Sequence, residues 1–310
     1  MESPDSPQES GDNSFPNEII TSDIKEKLRD SFLRDSARIL KEVPPDDHNY
    51  KLWDVYVGKA GLALLFMRIH ERDPGFMIGS KNALTIADQY IDGAISSYTS
   101  KHKISPSIVE HECGFLCSAV GLYAVAAYVK QHKGDQESSR RYVGLIRSHF
   151  SHACFSASTP SELLYGRAGF LYAQKFLSGT FGPLEEPHVK PLASSIFETI
   201  IEDGVRTAKS FAHRKIPLLW LFHGKPYLGA AHGMAGILSI LLARPEDCRD
   251  DEKRIRDTVD FVLFNCRSAN GNWPVSVDDE RDKSLVQFCH GAPGMCFLAC
   301  KAYQHYKEEK

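Results

Sequence analysis

A small set of side chains in this sequence combines a reactive type with a position where the chain can present it. Cys289 and His290 lie in Gln287-Phe288-Cys289-His290-Gly291-Ala292-Pro293-Gly294, a turn that opens onto the apolar run Met295 to Cys300. A thiolate and an imidazole suit zinc, which prefers Cys and His in tetrahedral arrangement. Cys289 is therefore a candidate ligand. Spacing alone leaves the assignment open, because the sequence holds no second Cys-His dipeptide and no CxxC. His232 stands in Ala231-His232-Gly233-Met234-Ala235-Gly236, just after Tyr227 of Pro226-Tyr227-Leu228-Gly229. A histidine there can serve as general acid or base near neutral pH, or can simply bond a loop carbonyl. Glu162 precedes Gly166 by four residues in Glu162-Leu163-Leu164-Tyr165-Gly166-Arg167-Ala168-Gly169. It could polarise a substrate or orient a base, and the alternatives are a pairing with neighbouring Arg167 or a solvated loop charge.

These residues sit on a repeated unit. The turns Gly58-Lys59-Ala60-Gly61, Ser118-Ala119-Val120-Gly121, Gly166-Arg167-Ala168-Gly169, Gly233-Met234-Ala235-Gly236 and Gly291-Ala292-Pro293-Gly294 each open an apolar run. Their last glycines are separated by 60, 48, 67 and 58 residues, too regular to ignore and too loose for a short solenoid. One supersecondary unit is used five times.

Between the turns, longer segments carry apolar residues at helical spacing on one side only: 22–43, 83–97, 191–213 and 251–266. Ser22 is a plausible N-cap of the first, and Pro44-Pro45 its stop. The runs after the turns, such as 122–129 and 170–177, are apolar on nearly all sides, which predicts burial. Two layers of helix follow, a buried inner ring within an amphipathic outer one. Alternation of the strand type is confined to short pieces such as 272–277. The expected class is all-α.

Composition limits what partners the chain can have. With 37 basic against 40 acidic side chains in 310 residues, the net charge is −3 and there is no global pull toward nucleic acid or an acidic membrane surface. Residues 1–21 are rich in Pro, Ser, Asp, Glu and Asn and predict a disordered tail. The tail has neither signal-peptide architecture nor a glycine at position 2. No apolar run approaches the roughly 18 residues that span a bilayer, so no transmembrane segment is expected and the cytosol is the expected location, with peripheral attachment at the plasma membrane as the alternative. In that setting the eight cysteines are expected to be reduced. Cys113, Cys117, Cys296 and Cys300 read as small buried hydrophobes.

Taken together, Leu164-Tyr165-Gly166-Arg167-Ala168-Gly169, Tyr227-Leu228-Gly229-Ala230-Ala231-His232-Gly233, Gly271-Asn272-Trp273-Pro274 and Cys289-His290-Gly291-Ala292-Pro293-Gly294 resemble the eukaryotic LanC-like proteins, relatives of the bacterial lanthionine cyclases. The resemblance runs from about Trp53 to Tyr306. It implies an α/α barrel, or toroid, of seven helical hairpins with the GxxG turns at one mouth and a zinc in the central cavity. Five hairpins fall within residues 22–310, which the resemblance makes an incomplete LanC-like domain. By the same resemblance Cys289 is one zinc ligand, and the family's following Cys-His pair has no counterpart here. His232 matches the acid/base histidine, Tyr227 stands in its motif, and Glu162 falls where the cyclases have an acidic residue. The cyclase arginine ahead of the zinc cysteine is replaced by Leu285.

The implied chemistry is addition of a thiol, glutathione in eukaryotic members, to a dehydroamino acid in a peptide or protein. A bound zinc would lower the thiol pKa while an acid protonates the enolate. Two other classes remain open at this point: a non-catalytic binding module built on the same hairpins, and a carbohydrate-active α/α barrel. The last requires a carboxylate pair at the mouth, for which only Glu162 is available.

Overall fold

The computed structural model describes residues 22–47, 49–101, 112–182, 192–211, 215–279 and 285–307. The expected tail 1–21 and both ends of the expected helix 191–213 lie outside them. In chain order the helices are α1 (Ser22–Glu42), α2 (Lys59–Arg72), α3 (Ala83–Lys101), α4 (Ala119–Lys133), α5 (Gln136–Leu145), α6 (Arg167–Phe181), α7 (Leu192–Ser210), α8 (Met234–Leu241), α9 (Glu252–Asp260) and α10 (Ala292–Tyr306). The all-α class expected from periodicity is what the chain adopts.

Helices that follow a glycine turn form the inner layer. α2 packs on α4, α4 on α6, α6 on α8 and α8 on α10, so these five stand side by side in sequence order. The amphipathic helices back them: α3 lies against α2 and α4, α5 against α4, α7 against α6, and α9 against α8. Burial separates the layers as the apolar patterns require. Every residue of α4 from Ala119 to Val129 is buried, whereas α9 buries Ile255, Thr258 and Val259 and leaves its charges outside. Truncating a fully buried member such as Leu122 to Ala should cost about 2–5 kcal/mol.

The glycine turns solve a problem common to all helix starts, the first amides that have no partner within the helix. In three turns the chain loops back so that those amides reach carbonyls seven residues earlier. Lys59 N donates to Leu52 O and Ala60 N to Trp53 O, Arg167 N to Pro160 O and Ala168 N to Ser161 O, Met234 N to Tyr227 O and Ala235 N to Leu228 O. This return brings a carbonyl against the last glycine of the turn. A Cβ at Gly61 would lie 2.2 Å from Val55 O, and one at Gly236 would lie 2.1 Å from Ala230 O. Close approach therefore explains the glycine at that place.

Neighbouring turns are also tied to each other. The Val55 and Tyr56 amides donate to Leu116 O, the Cys113 and Gly114 amides to Tyr165 O, and the Leu163 amide to Ala231 O. Residues far apart in sequence are thereby held together at the N-terminal ends of the inner helices.

Four details differ from the sequence expectation. Only the second half of α1 packs on the core, through Leu33, Ile39 and Leu40, while Ile24 and Leu28 are exposed. At 21 residues α1 is about 31 Å long, against about 21 Å for the 14-residue α2. Residues 272–277 form no strand. They contribute one isolated bridge, Ser276 to Tyr227. The β-hairpin Met77–Ile78 with Lys81–Asn82 was not anticipated, and its turn places Gly79 at φ +61°. Cys296 and Cys300 are exposed, unlike Cys113, and lie with the exposed Phe297 and Tyr303 on the outer side of α10.

Candidate functional site

Turn three carries Glu162 and turn four carries His232, and the bond between Leu163 N and Ala231 O fixes the two turns against each other at 3.3 Å. The Glu162 carboxylate is buried and fully engaged. Oε1 accepts from Tyr165 N at 2.6 Å, and Oε2 accepts from Leu164 N at 2.9 Å and faces His232 Nδ1 at 2.8 Å. Two amides and an imidazole compensate a charge that would otherwise be costly to bury. Since a carboxylate only accepts, His232 carries its proton on Nδ1, and Nε2 remains for whatever enters.

Beside His232 is a cavity of about 600 Å³ whose lining includes Glu112, Tyr165, Asp203, Phe222 and His223. Phe222 lies flat against the imidazole, with ring centroids 4.1 Å apart and planes 3° from parallel. Tyr165 is parallel to the imidazole as well, at 6.1 Å. The ring is thus held by a hydrogen bond along one edge and an aromatic face on one side. Sequence reasoning missed Phe222, Tyr165, Asp203 and Glu112. Tyr165 lies within the Leu164-Tyr165-Gly166 motif and could have been found there.

Arg167, considered above as a partner for Glu162, is used elsewhere. Its guanidinium donates to Cys154 O at 2.7 Å, Ser156 O at 2.8 Å and Ser161 Oγ at 3.1 Å, and so fastens the segment leading into turn three. The side chain is buried, and Asp203 approaches it at 3.9 Å. Glu162 is therefore left to His232.

Tyr227 stands between two histidines, its ring centroid 6.3 Å from that of His232 and 5.6 Å from that of His290. Burial, and secondarily the proximity of His232, lowers the His290 pKa below its ordinary value. Its Nδ1 is buried without a hydrogen-bond partner among the described residues. Cys289 is half-buried on turn five, where its Sγ donates to Gln287 Oε1 at 3.3 Å. Turns four and five touch through backbone, since a Cβ on Gly229 would meet Cys289 O at 1.8 Å. Asn272 braces turn five by accepting from Ala292 N at 2.8 Å and donating to Leu285 O at 3.1 Å. The structure thus joins Glu162 to His232 directly and sets Tyr227 beside them, while Cys289 lies on the adjoining turn.

Another thiol near the site is Cys117. Burial first, then the charge of Asp54, raises its pKa to about 12 against a smaller lowering by the Tyr165 hydroxyl. It remains a thiol at neutral pH and does not compete as a nucleophile.

An all-α arrangement of glycine-capped inner helices, with an acidic residue and a histidine joined across consecutive turns, defines the class. The chain belongs to the LanC-like family: the family described as "Lanthionine synthetase C-like protein" matches residues 51–310. Among its relatives is the LanC-like protein GCL1 of Arabidopsis thaliana, 36% identical over 203 residues, which cover 63% of this chain and 46% of that protein. The match thus spans about half the length of that relative. No helix among the described residues is long and apolar enough to cross a membrane.

Proposed function

We propose that this chain carries the acid/base part of a LanC-like site at which the thiol of glutathione adds to a dehydroamino acid in a peptide or protein. The observation that supports this reading is the 2.8 Å bond from His232 Nδ1 to Glu162 Oε2 at the edge of a cavity. In the addition, sulfur bonds to the β-carbon and the alkene π pair moves to the α-carbon, which must then take a proton. His232 can accept the thiol proton on Nε2 and return it to the α-carbon, while Glu162 stabilises the imidazolium between the two transfers. Phe222 and Tyr165 would restrict the imidazole to the orientation those transfers need. Such chemistry suits the cytosol, where thiols are kept reduced.

Zinc comes with the family resemblance, and Cys289 is the ligand this chain offers. The described residues do not complete a site there, because no set of three ligating side chains among them includes Cys289. The proton transfers are accordingly derived from protein groups alone.

The incomplete ligand set around Cys289 favours a second reading, a non-catalytic module that binds glutathione. Incubating the chain with zinc, glutathione and a dehydroalanine peptide and following the mass of the peptide separates the two. The catalytic reading requires adduct formation above the protein-free rate and its reduction by about 10²- to 10⁴-fold in His232→Ala. Glutathione binding by calorimetry with no rate above background would leave the module.

A further inference from the structure

The C-terminal ends of α8 and α10, away from the glycine turns, hold a second group of ligating side chains. Cys248 closes the one-turn helix Pro245–Cys248, Glu252 opens α9, and His305 lies in the last turn of α10. Their ligating atoms all lie within 4.8 Å of one another. We propose that Cys248, Glu252 and His305 form a binding site for a zinc-type divalent cation, separate from Cys289 and independent of the catalytic reading.

The donor set comes first. One sulfur, one imidazole nitrogen and one carboxylate oxygen match the ligands of a borderline-soft divalent ion. Tetrahedral coordination at bond lengths of about 2.0–2.3 Å brings ligand atoms to roughly 3.3–3.7 Å from one another, so a contraction of about 1 Å would suffice. Glu252, whose side chain is 41% exposed, has room to make it.

The surroundings of His305 point the same way. Nδ1 faces Leu242 O at 3.3 Å, and Nε2 faces both carboxylate oxygens of Glu252, at 3.1 and 3.2 Å. A carboxylate only accepts, so without an ion the single N–H of a neutral imidazole faces Glu252, and an ion taking the place of that proton would leave Nδ1–H free to donate to Leu242 O. An Nδ1–H bond to a backbone carbonyl, which Leu242 O is placed to accept, is the arrangement that ordinarily orients a metal-ligating histidine.

A separate observation is the hydroxyl of Tyr306, which is buried and has no hydrogen-bond partner among the described residues. An unpartnered donor next to the cluster would be satisfied by a water in the fourth position of the ion. The nearby Arg244 is committed elsewhere, to Asp247 at 2.6 Å and Glu246 at 3.3 Å. Among the described residues, the ion-pair partner of Glu252 is His305. Binding would release the Cys248 thiol proton, and any proton on His305 Nε2, to solvent.

Titration of the full chain carrying Cys289→Ser with Co²⁺ tests the proposal, since a cobalt–thiolate bond gives a near-ultraviolet charge-transfer band. One equivalent of Co²⁺ with that band is expected. The band should be lost in Cys248→Ser, and the apparent affinity should fall by about 10-fold or more in His305→Gln and in Tyr306→Phe. Zinc should displace the cobalt. Circular dichroism identifies any variant that fails to fold, and His305→Gln decides the matter if Cys248→Ser does. No band in the Cys289→Ser chain, a band that survives Cys248→Ser, or unchanged affinity in a folded His305→Gln would overturn the assignment.

Discussion

His232 and Glu162 are separated by 70 positions in the sequence and by 2.8 Å between Nδ1 and Oε2. That bond crosses from turn four to turn three, so the candidate dyad exists only once two hairpins have docked. Glu162 accepts from three donors, a task glutamine cannot fulfil because its amide nitrogen would confront one of them. Glu162→Gln should therefore destabilise the chain by about 1–3 kcal/mol in urea unfolding, as expected for a buried group left unsatisfied. A change within a few tenths of a kcal/mol would mean that the carboxylate is not buried as described.

The pH dependence of stability should carry the signature of His290. Its folded pKa lies below its unfolded value of about 6.5, chiefly through burial, so the unfolded chain takes up the proton first as pH falls. The contribution is fully present above that value and is lost as the pH drops through it toward the folded pKa. His290→Gln should flatten the stability profile between about pH 7 and pH 5, measured by thermal melts across buffers. A profile identical to that of the parent would contradict the burial of this imidazole.

The glycine turns were legible in the sequence because a backbone that must pass within 2.4 Å of a Cβ position tolerates no other residue, and five turns repeat the constraint. The two helical layers were legible for a related reason, since burial on all sides of α4 and on one side of α9 dictates different apolar patterns. Partners across turns were not. Nothing local distinguishes a Glu162 that pairs with Arg167 from one that pairs with His232, and the choice follows from Arg167 reaching the Cys154 and Ser156 carbonyls. Phe222 was hidden because its place on His232 depends on the course of a loop and not on a period.

Two glycines should respond in opposite directions to alanine. Gly236→Ala puts a methyl 2.1 Å from Ala230 O in a hydrogen-bonded turn and should cost more than about 2 kcal/mol. Gly144→Ala, near the end of α5 with open space around it, should stabilise by about 0.4–1 kcal/mol. Denaturant midpoints of the two variants against the parent check both signs at once.

Arg167→Lys keeps the charge but cannot reproduce three directed N–H bonds to Cys154 O, Ser156 O and Ser161 Oγ. Loss of about 2–4 kcal/mol is expected, with faster hydrogen exchange in residues 151–166. Unchanged exchange there would show that the segment is ordered by something else.

The protonation geometry of His232 bears most directly on the account, and it can be measured whether or not the chain turns over. With ¹⁵N-labelled histidine, long-range ¹H–¹⁵N correlation at a pH where the ring is neutral reports which nitrogen carries the proton. The account predicts the Nδ1–H tautomer, with a downfield, slowly exchanging Nδ1 proton that disappears in Glu162→Gln. An Nε2–H tautomer, or a signal indifferent to Glu162→Gln, would contradict it.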